Sequence, residues 1–150
     1  MEENLKTESK RISIKQLPRN VWAVGFTSFF MDVSSEMVFN ILPLFLSNVL
    51  GVQTSIIGLI DGIAEATSSL LKLFSGWLSD KLGGRKWLAV IGYGLSALFK
   101  PFFYFANTWG VVAGVRWADR VGKGIRTAPR DALVADSVTK EIRGLAFGLH

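Results

Sequence analysis

Residues 116–131 read RWADRVGKGIRTAPRD, and seven of these sixteen positions are charged: Arg116, Asp119, Arg120, Lys123, Arg126, Arg130 and Asp131. They follow directly on FFYFANTWGVVAGV (residues 102–115), which carries no charge at all. At roughly 2.5–3.5 kcal/mol for each charge at mid-bilayer, the segment does not cross a membrane with its charges against lipid. Sorted by helical face, Arg116, Asp119, Arg120, Lys123 and Arg130 fall within an arc of about 100° at ~3.6 residues per turn. Trp117, Val121, Ile125, Ala128 and Ala132 occupy the opposite side. The segment is two-sided, so its apolar face can meet lipid or other helices while its charges face a protein interior or a water-filled cavity.

The rest of the chain favours the membrane. Of 150 residues 49% are apolar, with eleven Phe and five Trp, and the net charge of +5 is carried in blocks between long apolar stretches. That layout suits a membrane protein whose cations collect in cytoplasmic loops, and it argues against nucleic acid as a partner. There is no cysteine and the single histidine is His150, so disulfides, zinc–thiolate sites, thiol catalysis and histidine-based metal sites or triads are excluded. The polar stretch of residues 1–19 reads as a cytoplasmic tail rather than a signal peptide. The apolar stretch after Arg19 is too long for one and lacks a small-residue cleavage site.

Four membrane-spanning helices are expected within residues 20–150: about 20–47, 55–79, 87–106 and 111–136, with a fifth opening at RGLAFGLH (residues 143–150). Lys6, Lys10, Arg11, Lys15 and Arg19 precede the first helix; Lys81, Arg85 and Lys86 join the second and third; Lys140 and Arg143 follow the fourth. The other two connections are uncharged. The positive-inside rule then places the N-terminus in the cytoplasm. Gly58/Gly62, Gly110/Gly114 and Gly144/Gly148 recur at the four-residue spacing that lets membrane helices approach closely, and they are read as packing only.

Two further polar stripes complement the basic one. Asp32, Glu36 and Asn40 share a face of the first helix, with Pro43 beside them; Asp61, Glu65, Ser68, Lys72 and Ser79 share a face of the second. Several helices with complementary polar faces imply a shared polar interior. RVGKGIR (residues 120–126) is not a phosphate-binding loop, since Gly124 follows the lysine where Ser or Thr is required. No nucleophile, metal set or oxyanion site accompanies the carboxylates, so no enzyme activity, metal or cofactor is expected.

GWLSDKLGGRK (residues 76–86) resembles the signature of the major facilitator superfamily. Gly76, Leu78, Asp80, Lys81, Gly83, Arg85 and Lys86 match, whereas Gly84 stands where a basic residue is usual. Arg116 followed by Gly122 and Gly124 resembles the family's pattern for the fourth helix, with Arg120 departing from it, and APRDALVADS (residues 128–137) with the following RG is similar to its common form. The resemblance covers residues 20–150. It implies an all-α membrane protein, a partial N-terminal six-helix bundle of a secondary transporter built from two six-helix halves. It further implies a small-molecule solute, protons as coupling ion, and a C-terminal remainder of the transporter as partner within the bilayer.

On that resemblance, Asp32, Glu36, Arg116, Asp119, Arg120, Lys123 and Arg130 are the candidate substrate and proton pathway. It implies that Arg116, Arg120 and Lys123 either bind an anionic substrate or hold Asp32 and Glu36 ionised, and a permanent buried ion-pair lattice stays open beside both. Gly76, Asp80, Gly83, Arg85, Lys86 and Asp136 are the candidate cytoplasmic gate, formed in one rocking state and broken in the other. The expected location is the cell inner membrane, as a multi-pass protein. Two other readings stay open: a non-transporting membrane fragment that needs a partner, and a basic protein of the membrane surface.

Overall fold

The computed structural model describes residues 17–140 and 142–148; residues 1–16 of the polar tail lie outside them. Every element among the described residues is helical. α1 is Arg19–Asn48, α2 Thr54–Leu82, α3 Arg85–Phe99, α4 Trp109–Asp136 and α5 Arg143–Gly148. α3 tightens into a 3-10 helix over Lys100–Phe105. Pro101 causes that change: it has no N–H for the carbonyl one turn back, and its ring crowds that carbonyl.

Short connections make consecutive helices antiparallel. Between α1 and α2 the chain reverses at Gly51, whose φ of 64° is left-handed, and Val52 N–H bonds the Leu46 carbonyl at 2.9 Å. α2 ends at Gly83, φ 63°, whose N–H bonds the Ser79 carbonyl at 3.0 Å. Glycine takes that left-handed cap without a Cβ penalty, and two residues suffice to turn the chain into α3.

α4 is the central helix and packs along both α2 and α3. The faces it meets are small: Ala64, Ser68 and Ser75 on α2, and Ala89, Gly92 and Ser96 on α3, all buried. A Cβ on Gly92 would sit 2.6 Å from the Arg126 Cβ, and one on Gly124 would sit 2.6 Å from the Ser68 carbonyl oxygen. The expected packing pairs meet no neighbour among the described residues. Gly58, Gly62, Gly110, Gly114, Gly144 and Gly148 have nothing within 4 Å of a Cβ built on them, because their faces look outward. The close approaches fall on Gly92, Gly122 and Gly124 instead.

Two apolar clusters close the ends of the bundle. Phe39, Leu42, Leu46, Val52, Ile57, Ala106 and Val112 form one, and Leu17, Val21, Val134, Val138 and Ala146 the other. The charged stretch of α4 lies between them.

By length and composition, two helices are apolar enough to cross a membrane: Arg19–Asn48 and Arg85–Phe105. Only 22% and 17% of their apolar windows are buried within the chain, so they are not the covered core helices of a soluble fold. α2 and α4 do not meet that criterion, since their ionisable residues lower the average. The expected count of four spans therefore rests on charges being neutralised between helices.

Candidate functional site

The sequence turns the basic edge of α4 toward two neighbours, and each cation finds a different partner. Arg116 Nε pairs with Asp61 of α2, and Arg120 Nη1 lies 3.4 Å from Glu65, one turn along the same helix. Both guanidinium groups sit over the Phe39 ring of α1, at 4.5 and 4.7 Å from its centroid. Arg126 Nη2 reaches Asp32 of α1 at 3.1 Å and stacks over Tyr93 of α3 at 4.5 Å. Arg130 is held by Asp131 beside it at 2.8 Å and approaches Ser28, which is itself hydrogen-bonded to Tyr93.

The arrangement is graded. The Arg116 and Arg126 side chains are 8% and 2% exposed, whereas their partners Asp61 and Asp32 are 37% and 52% exposed. Cations therefore lie deep between the helices and carboxylates lie at the open edge. Asp119 is buried, and its Oδ1 has no hydrogen-bond partner among the described residues.

This corrects the expected pairing. Arg116 and Arg120 do not pair with Asp32 and Glu36; they pair with Asp61 and Glu65 of α2, along which α4 lies. Asp32 is taken by Arg126, and Glu36 and Lys123 make no ion pair among the described residues. Asp32, Glu36, Phe39, Arg120, Lys123, Arg126 and Arg130 line one cleft of ≈ 280 Å³ between α1 and α4.

Four residues escaped the sequence reading. Arg126 lies about 20° beyond the edge of the basic arc at ~3.6 residues per turn, so a strict arc omits it. Lys100 donates to the Met31 carbonyl at 3.0 Å and to Ser35 Oγ at 2.9 Å, and so ties α3 to α1. A lysine inside an otherwise apolar helix is itself a signal of a polar interior. Tyr93 and Ser28 carried no such signal.

At the other end of α4, Arg85 bridges two carboxylates. Its Nη2 donates to Asp80 at 3.0 Å and its Nη1 to Asp136. Arg85 opens α3 and Asp136 closes α4, so each is disfavoured by its own helix dipole and relieved by the other. Gly76 lets α2 approach α4, where its Cβ would lie 3.3 Å from the Ala128 Cβ, and Gly83 makes the turn. Lys86 is exposed and joins no ion pair among the described residues.

The model of the Major Facilitator Superfamily matches residues 24–150. The chain is 40% identical over 149 residues, 99% of its length, to an uncharacterised MFS-type transporter of Methanocaldococcus jannaschii, of which it covers 36%. It is 25% identical over 86% of its length to an uncharacterised MFS-type transporter of Bacillus subtilis, covering 31% of that protein. It is 30% identical over 63% of its length to the melibiose permease of Enterobacter cloacae, covering 24%. The chain thus spans about a third of the length of the first two relatives. No solved structure matches it at the same stringency. An all-helical chain with an ion-paired centre and a carboxylate–arginine–carboxylate bridge at one end, matched over residues 24–150, is one thing: the chain belongs to the major facilitator superfamily, whose members are integral, multi-pass membrane proteins.

Proposed function

We propose that the chain forms part of a proton-coupled secondary transporter of small solutes. Its four long helices cross the cell inner membrane with the N-terminus in the cytoplasm, and a further part of the transporter completes the site. The observation that carries this is the row Arg116, Arg120, Arg126 and Arg130, matched by Asp61, Glu65, Asp32 and Asp131, inside a bundle whose outer surface is apolar. A surface-bound protein has no reason to place a 2% exposed arginine at its centre.

The aromatic side chains support the crossing. Exposed Trp77 and Trp87 lie toward one end of the bundle and exposed Tyr104 and Trp109 toward the other. From residue 87 to residue 104 a helix climbs about 26 Å at ~1.5 Å per residue, close to the ~30 Å hydrocarbon thickness between aromatic belts. Relatives named as transporters, one of them a permease named for melibiose, support small solutes as cargo.

In this reading Asp80, Arg85 and Asp136 latch the cytoplasmic ends of α2, α3 and α4 in one state, and the latch opens as the bundle rocks. The test is solute flux in proteoliposomes holding the protein at the length its gene encodes, with and without an imposed proton gradient. Asp32→Asn and Glu36→Gln should abolish uphill transport. Full uphill transport with unchanged pH dependence in both variants would remove proton coupling from this reading.

A further inference from the structure

Lys100 of α3 and Asp119 of α4 carry opposite charges, and neither has an ion pair among the described residues. Lys100 spends its ammonium on neutral groups of α1: the Met31 carbonyl at 3.0 Å, the Met31 sulfur at 3.1 Å and Ser35 Oγ at 2.9 Å. That carbonyl is crowded. It also accepts from Ser35 Oγ at 2.9 Å and, lying inside α1, serves the N–H of the next turn. A carbonyl has two lone pairs, so three donors compete for it. Asp119 is the converse: 2% exposed, with an Oδ1 that accepts nothing among the described residues. Donors are in surplus at α1 and missing one helix away.

The two charged side chains lean toward each other. Ser96 Oγ donates to the Asp119 carbonyl at 3.2 Å, which puts these residues at one level of the α3–α4 seam. Lys100 lies one turn further along α3, and helical side chains tilt toward their own N-terminus, so its stem runs back over Ser96. α4 runs antiparallel to α3, so Asp119 tilts the opposite way, toward Lys100. The four-carbon lysine stem covers that single turn of about 5.4 Å. Lys100 is also the residue at which α3 gives way to the 3-10 helix, a change that commonly marks a hinge.

α1 is free to respond there. Val21 at one end, and Phe39, Leu42 and Leu46 at the other, are packed into the two apolar clusters. Between Val21 and Phe39 the buried residues of α1 are Ser28 and Ser35 alone, so polar ties hold that stretch. α3 and α4, by contrast, are pressed backbone to backbone at Gly92 and Gly122.

We propose that Lys100 is a toggle between two acceptors. In the state shown its ammonium ties α1 to α3 through Met31 and Ser35. In a second state it pairs with Asp119, and the groove between α1 and α3 widens at that turn. Arg126 keeps Asp32, and with it α1, against α4 in both states. Each state meets what the other leaves unmet: an ion pair inside the seam, or the ties that hold α1. The toggle gives α1 two positions on a rigid α2–α4–α3 unit, and it stands apart from the transporter reading.

Nitroxides on Thr27→Cys and Ala97→Cys, exposed positions on opposite walls of that groove, read its width. The protein is taken at the length its gene encodes, in lipid nanodiscs, with any cysteine outside these 150 residues replaced. Dipolar broadening in the frozen sample should resolve two distances. Asp119→Asn removes the charge from one acceptor and should shift the ratio of the populations about tenfold toward the shorter distance. Ser35→Ala removes part of the other acceptor and should shift it severalfold toward the longer. In a Lys100→Met background neither substitution should move the ratio.

Shifts in the same direction, or shifts that persist in Lys100→Met, would overturn the toggle. So would an Asp119→Asn variant that moves nothing, the result expected if water alone satisfies the carboxylate. Where Asp119→Asn does not purify, Ser35→Ala with and without Lys100→Met decides. Solute flux is a separate readout: its absence would count against the transporter reading and leave the toggle standing.

Discussion

Arg126 and Asp32 meet across the seam of α1 and α4 at 3.1 Å, with the guanidinium 2% exposed and the carboxylate 52% exposed. The pair is therefore asymmetric, and its two halves do not fail alike. Removing Asp32 strands a cation buried between the helices; removing Arg126 strands a carboxylate at the open edge of the cleft. Asp32→Ala should cost about 3–5 kcal/mol of stability, the range for an uncompensated buried charge, and Arg126→Met clearly less. Thermal unfolding of both variants and of the double variant checks this. Equal losses would show that burial is not what separates them.

Gly92 is one of the three tight points of the helix packing. A methyl group there meets the Arg126 Cβ and the Gly122 carbonyl oxygen, at 2.6 and 2.7 Å. Backbone cannot swing aside as a side chain does, so Gly92→Ala should destabilise by about 1–3 kcal/mol. Gly58→Ala, with open space around it, should be neutral or slightly stabilising. The melting temperatures of the two variants, compared side by side, provide the measurement.

The bridge through Arg85 is partly exposed, so its worth to overall stability is small, about 0–1 kcal/mol. Its effect should appear in the balance between states. Asp136→Asn should raise the labelling rate of a thiol introduced as Ser137→Cys severalfold and leave the melting temperature nearly unchanged. These 150 residues contain no cysteine, so within them that thiol reports alone. An unchanged rate would separate the bridge from gating.

The same absence of cysteine makes topology testable. Thr108→Cys should react with an impermeant maleimide from outside the cell, and Gly84→Cys only after permeabilisation. The reverse pattern would invert the orientation argued from the loop charges.

The helices were legible because their signals are local. Segment ends, the turn at Gly83 and the break at Asn107 stand in composition alone, and the observed helix ends fall within a few residues of expectation when the 3-10 turn to Phe105 is counted with α3, whose α-helical part stops at Phe99. The polar stripes were legible for the same reason. The partners were not. A stripe read as one face implies one neighbour, yet α4 has α2 beside Arg116 and Arg120 and α1 beside Arg126. That division depends on how the helix is rotated in the bundle, which glycines set among the charges of α4 and facing them from α3 decide. Gly92, Gly122 and Gly124 set it, and they stand in no tidy four-residue pair across one helix.

The matched charges of α2 and α4 bear on how the protein is made. α1 and the helix from Arg85 to Phe105 are apolar enough to enter a bilayer singly; α2 and α4 are not. At roughly 2.5–3.5 kcal/mol per central charge, neither leaves the insertion channel for lipid by itself. Arg116 cancels Asp61 and Arg120 cancels Glu65 only once the two helices lie side by side. On the proposed four-span topology, α2 is therefore expected to stay near the channel until α4 has been synthesised, about fifty residues later, and the two to leave together. The ion pairs between them would then also set the order of biogenesis.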